Sequence, residues 1–215
     1  MNILSKSQNA SLKSLVVAML NYGAEAQKFF GHNTDNLMNK DLTAEQQALV
    51  GAYTVSETES ITVGAEKSGA FVNNNGFDKC TPSVAFESAF AINFYFQPAN
   101  AVDSSVTFYY WDLETYNSVD VLTAENATGT QTLTAGEDGM YKATCEDIAA
   151  KNLDSEVFVA AVYESNGVIC TSGIRHYSVG TYCRNFAADS ASAMQGIAQA
   201  TLVYGECAKA YFENV

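Results

Sequence analysis

Leu15–Phe30, LVVAMLNYGAEAQKFF, and Ile197–Phe212, IAQATLVYGECAKAYF, are two copies of one motif near opposite ends of the chain. In ungapped register Ala18/Ala200, Leu20/Leu202, Tyr22/Tyr204, Gly23/Gly205, Ala26/Ala208 and Phe30/Phe212 are identical. Both copies carry helical periodicity. Leu12, Leu15, Val16, Met19, Leu20, Gly23, Ala26 and Phe30 fall at steps of three and four, as do Met194, Ile197, Ala198, Thr201, Leu202, Gly205, Ala208 and Phe212. A mid-helix glycine costs about 1 kcal/mol relative to alanine. Its presence twice at one register therefore predicts close approach of another backbone. The two helices are expected to pack on each other or on a shared face, with their Tyr and Phe side chains as core knobs.

Working outward, Tyr177–Phe186 reads as a further helix in front of the second copy, and Asp189 and Ser190 offer turn and N-cap chemistry after it. In the same register Met1 aligns with Cys183. The first copy thus lacks the opening turns of its leading helix, and the chain reads as starting inside a helix-hairpin repeat of a longer protein. Thr34–Val50 is expected to form a loop and a short helix capped at Thr43.

Between the helices the texture changes. From about Tyr53 to His176 the chain is rich in Thr, Val, Tyr and Phe with period-2 runs. Expected strands are Tyr53–Val63, Gly69–Asn73, Ser83–Gln97, Ser105–Asp112, Ser118–Thr123, Gln131–Thr134, Met140–Thr144, Glu156–Glu164 and Val168–Tyr177. Turn signals separate them at Asn73–Gly76, Gln97–Asn100, Gly136–Gly139 and Ser165–Gly167, the last a hairpin turn. Cys145–Leu153 reads as one helical turn between strands. Short strands without intervening long helices argue for a sandwich. The expected fold is mainly β with α: a β-sandwich (51–176) flanked by an N-terminal helical motif (1–50) and a C-terminal helix hairpin (177–215).

The chain of 215 residues is 47% apolar and 16% charged, as a folded domain should be. Its net charge of -13 opposes the phosphate neutralisation on which non-specific nucleic-acid binding rests, and disfavours anionic membranes likewise. No stretch reaches the roughly 18 apolar residues of a membrane span, and Met1–Lys6 lacks the apolar core of a signal peptide. Cys80, Cys145, Cys170, Cys183 and Cys207 match no zinc spacing and are expected to be small buried hydrophobes.

The stretch LKSLVVAMLNYGAEAQKFFGHNTDNLMNKDLT (Leu12–Thr43) resembles the helical motif of very large secreted proteins of gut Firmicutes. There a β-domain follows it and then a helix of the YSV..YC kind, matched here by EDIAAKNL (Glu146–Leu153) and by Tyr177–Phe212. Such modules are similar to accessory domains of glycoside hydrolases and adhesins, and to the starch adherence proteins of the cell-surface amylosome. The resemblance implies an extracellular, cell-surface module that binds polysaccharide, with starch-like α-glucan as the ligand and other modules of the same longer chain as neighbours. It transfers no binding residue.

Nothing in the chain has the pattern of a catalytic or metal site. There is no GxSxG, HExxH, P-loop or dinucleotide fingerprint. His32 follows Gly31 where a helix C-cap is expected, and His176 reads as structural. Glu57/Glu59, Asp112/Glu114 and Glu146/Asp147 read as solvated faces, and Asn73–Asp78 lacks the alternating Asp and terminal Glu of a calcium loop. The expectation is a non-enzyme without cofactor or metal.

The densest unusual feature is Phe108–Asn117, FYYWDLETYN. Period-2 sorting puts Val106, Phe108 and Tyr110 on one face and Tyr109 and Trp111 on the other; Ile92, Phe94 and Phe96 likewise oppose Asn93, Tyr95 and Gln97. Turning the apolar rows inward leaves Tyr95, Tyr109 and Trp111 outward on neighbouring strands, with Tyr116 and Asn117 nearby. Such a platform would stack on the apolar faces of pyranose rings. In the competing arrangement the helices pack over this face and bury it, which would favour a structural or adhesive spacer. Exposure of Trp111 discriminates the two.

Overall fold

The computed structural model describes residues 3–54, 61–86 and 89–214. In chain order the helices are α1 (Ile3–Lys6), α2 (Ala10–Phe29), α3 (Ala44–Gln47), α4 (Ala65–Ser68), α5 (Leu113–Ser118), α6 (Val179–Ala187) and α7 (Gln195–Phe212). The strands are β1 (Phe77–Ala85), β2 (Phe90–Pro98), β3 (Val106–Trp111), β4 (Gly129–Leu133), β5 (Tyr141–Ile148), β6 (Val157–Ser165), β7 (Val168–Thr171) and β8 (Arg175–Tyr177). Two units emerge. One holds residues 1–58, 149–153 and 180–215, the other residues 59–148 and 154–179.

In the helical unit the two repeat copies are α2 and α7, and they pack on each other. Tyr22 stacks on Tyr204 at 5.7 Å. Leu15, Val17, Ala18 and Ala24 of α2 are buried, as are Ile197, Ala198, Leu202 and Ala208 of α7. The glycines differ in what they admit. A Cβ at Gly205 would lie 2.5 Å from Leu153 Cδ1 and 3.2 Å from the Ala150 carbonyl oxygen, while one at Gly23 would meet only the Met38 side chain, at 3.1 Å. Close backbone approach thus holds at Gly205; at Gly23 the neighbour is a flexible side chain.

The end of α2 explains His32. Gly31 takes φ +66°, its N–H bonds the Lys28 carbonyl at 3.2 Å, and the His32 N–H bonds that of Gln27 at 2.9 Å. This double closure of a helix end needs a residue that enters the left-handed region freely. The chain then doubles back along α2, and Thr43 and Gln46 form the reciprocal cap that starts α3. At α7 the expected cap is not made. Asp189 instead accepts from the Ala191 N–H at 2.9 Å as a turn residue, and Met194 occupies the N-cap position.

The second unit is a two-sheet sandwich. One sheet has the order β1-β2-β5; the other runs β4-β3-β6-β7, with β8 also pairing β6. All pairs are antiparallel. Ile92, Phe94 and Phe96 face Val106 and Phe108 across the interior, Phe108 lying 6.2 Å from Phe94 and 5.9 Å from Phe96. Tyr163 ties the layers together by donating to the Gly76 carbonyl at 2.7 Å and accepting from the Asn100 N–H at 3.0 Å. The β6–β7 hairpin turns on Asn166 and Gly167, at φ 51° and 75°, as a two-residue turn between right-twisted strands requires.

Several expected strands are absent. Residues 69–73 follow the helical turn α4; of 118–123, Ser118 ends α5 and 119–123 follow it as a loop; 53–54 and 61–63 carry no strand, and 55–60 lie outside the described residues. Ser83–Gln97 is split between β1 and β2. Cys145–Leu153 is the end of β5 followed by a 3-10 turn, Ala150–Asn152. Two residues, Glu146 and Asp147, there oppose the single Ala91, and Asp147 bulges at φ 58°.

Cys145, Cys170 and Cys183 are buried, and none of the five cysteines forms a disulfide. Burial pushes the Cys145 thiol up to about 12, and the Tyr22 phenol likewise to about 12. Burial, partly offset by Arg175, puts Cys80 at about 11. Each group ionises more readily in the unfolded chain, so its contribution is complete below the unfolded pKa and is lost as pH rises. Stability should therefore hold to about pH 8.5 and fall beyond pH 9–10, by up to about 1.4 kcal/mol per pH unit for each of the two thiols. Urea titrations across pH 7–11 check this; a flat profile would show these groups hydrated in the fold.

Candidate functional site

The structure separates the aromatic residues that the sequence grouped. β2 and β3 are not neighbours but belong to opposite sheets. Tyr95 therefore lies on the outer face of one sheet and Tyr109 and Trp111 on the outer face of the other. The inward and outward rows are as period 2 requires; the expected common platform does not form.

Trp111 is 0% exposed. It packs with Phe71, Leu122, Phe158 and Ala160 in a second apolar core, with Tyr109 and Tyr116 partly buried against it. Phe71 meets the indole edge-on at 5.2 Å. The indole N–H donates to Asn126 Oδ1 at 2.9 Å, and that oxygen also accepts from the Thr123 N–H at 2.9 Å. Asp112 caps α5 through the Thr115 N–H at 2.7 Å. The cap swings Tyr116 back onto Phe158, ring on ring at 3.7 Å, with Lys67 Nζ 4.3 Å above it. Asn117 is exposed on α5. The expectation that Trp111 and Tyr109 point to solvent fails because residues 61–71 and 113–127 fold over this sheet within the same unit.

The opposite outer face is polar and open around Tyr95, with Asn93 buried. On β2 it carries Asn93, Tyr95 and Gln97. The cross-strand partners are Ser83, Thr81 and Lys79 on β1, and Thr144 and Lys142 on β5 opposite Asn93 and Tyr95. Tyr95 is half-buried, while Thr81, Lys79 and Lys142 are exposed. Lys142 Nζ lies 6.0 Å from the Tyr95 ring centroid, and Asn93 Oδ1 accepts from the Thr144 hydroxyl at 2.9 Å. One aromatic ring thus sits in the middle strand among hydroxyls, amides and two ammonium groups. The alternation in KCTPS (79–83) and KAT (142–144) was the available signal for these neighbours, but it does not say which strands pair.

Elsewhere, His176 Nδ1 and Glu156 Oε2 lie 2.6 Å apart at the β8 edge. Asn74 acts as a strand partner for β7, donating to the Ile169 carbonyl at 2.8 Å and accepting from the Thr171 N–H at 2.9 Å. The Asn-rich turn is thus a clamp on a sheet edge. Among the described residues no three His, Cys, Asp or Glu side chains converge as for a metal ion, and no helix is long and apolar enough to cross a membrane. Glu57 and Glu59 lie outside the described residues.

No family model and no curated protein matches the chain. Among solved structures it is similar to a carbohydrate-binding module titled "Crystal structure of Br derivative BhCBM56". The TM-score is 0.32 at 13% identity, covering 46% of this chain and 90% of that one.

Proposed function

We propose that this chain is a non-catalytic carbohydrate-binding module that uses the outer face of the β1-β2-β5 sheet, with Tyr95 at its centre. The observation that carries the reading is the placement of that ring, half-exposed in the middle strand, between Thr81 and Lys142. A pyranose can lie with its C–H face on the phenol while Asn93, Gln97 and the threonine hydroxyls bond its rim. Starch-like α-glucan is the proposed ligand and the bacterial cell surface the proposed location, among other modules of a longer secreted chain. These finer points rest on the likeness of the helical ends to amylosome-type surface proteins.

Tyr95→Ala should lower α-glucan retention in affinity electrophoresis by roughly tenfold to a hundredfold, the scale of losing one stacked ring, without changing the melting temperature. Asn117→Ala should leave retention unchanged. A second reading, a structural spacer without glycan ligand, is favoured by the burial of Trp111. Unchanged mobility of the unmutated protein across a polysaccharide panel would establish the spacer and remove the sheet-face site.

A further inference from the structure

Within the helical unit, α2, α7 and the returning segment line an open cavity of about 410 Å³, inside the size range of small-molecule sites. Its polar lining is Asn21, Glu25, Asn39, Gln47, Tyr53 and Gln199, over a floor of Ala18, Ala200 and Val203. Part of the hydrogen-bonding capacity is used internally. Asn39 Nδ2 donates to Asn21 Oδ1 at 2.9 Å, Asn21 Nδ2 to Gln47 Oε1 at 3.2 Å, and Gln199 Nε2 to the Ala187 carbonyl at 2.7 Å. Glu25 Oε1 pairs with Lys28 Nζ at 2.6 Å.

What remains is mixed: the oxygens of Asn39, Gln199 and Glu25 accept, while the second amide hydrogens of Asn21, Asn39 and Gln199 and the amide of Gln47 donate. The Tyr53 hydroxyl, buried and without a hydrogen-bond partner, can do both. A buried hydroxyl left unbonded costs free energy, so its retention calls for a ligand that bonds it. Among the described residues no lysine or arginine lines the cavity, which argues against phosphate or carboxylate ligands. A wall of amide donors and acceptors over small apolar residues fits a neutral molecule that brings several hydroxyls, each able to donate and accept, on a compact apolar ring.

We infer that this cavity binds one or two rings of a neutral sugar, free or as the end of a chain, independently of the sheet face. The test uses the whole protein with maltose, cellobiose and lactose as probes, and maltoheptaose to distinguish a chain end from a free disaccharide. At least one disaccharide should raise the melting temperature and shift the side-chain amide NMR signals of Asn39, Gln47 and Gln199. Tyr53→Phe should raise the melting temperature of the free protein, by removing the unbonded hydroxyl, yet weaken the sugar by roughly tenfold, about 1.4 kcal/mol. Tyr95→Ala should leave this response intact, so failure of the sheet-face site and failure of the cavity are distinguishable. No response to any of the four sugars, or a Tyr53→Phe variant that is less stable and binds unchanged, would overturn the inference.

Discussion

Trp111→Ala is expected to lower the stability of the protein by about 3–5 kcal/mol, as buried aromatic-to-alanine changes do. The indole is fully buried among Phe71, Leu122 and Phe158, and its N–H bond to Asn126 helps hold the loop that covers this side of the sheet. Deleting it opens a cavity and loosens the cover together. Being the only tryptophan, Trp111 also reports on itself. In the native protein its emission should be blue-shifted, protected from iodide and unmoved by polysaccharide, turning red only on unfolding. A Trp111→Ala variant with an unchanged melting temperature, or a native emission that glycan shifts, would return this residue to the surface.

The second large effect concerns the repeated glycines. Gly205→Leu should cost about 1–3 kcal/mol through overpacking, at the upper end of that range, because the added atoms meet Leu153 and the Ala150 carbonyl. Gly23→Leu should cost less, since Met38 is 56% exposed and its flexible side chain can swing aside. Denaturant unfolding of both variants checks the order. Equal costs, or a costlier Gly23, would mean that the two copies are constrained alike.

The aromatic patch shows where sequence reasoning stopped. Alternation sorted the side chains of β2 and β3 correctly, because period 2 is a property of a single strand. It could not say that β2 pairs β1 and β5 while β3 pairs β4 and β6. Placing the two strands side by side merged Tyr95 with Tyr109 and Trp111 into a surface that does not exist. The cover over Trp111 was missed for a related reason. Residues 69–73 and 118–123 have strand-like composition, but Gly69 turns the chain at φ +54° and approaches the Leu122 carbonyl, and Asp112 caps a helix where the end of a strand was expected.

Read by itself, the sequence determined the two equivalent helices, the stop of the first at Gly31, the hairpin at Asn166–Gly167 and the sandwich between the helices. Each is written in local periodicity or in a residue's backbone preference, which act over a few neighbours. Only the tertiary structure decided which sheet face is buried and which is open. It also decided that Tyr53, Asn39 and Gln199 meet around one cavity and that Asn74 guards the edge of β7. These depend on pairings between residues far apart in the chain, where many alternatives satisfy the same local pattern and the free energy of burying the whole core selects among them.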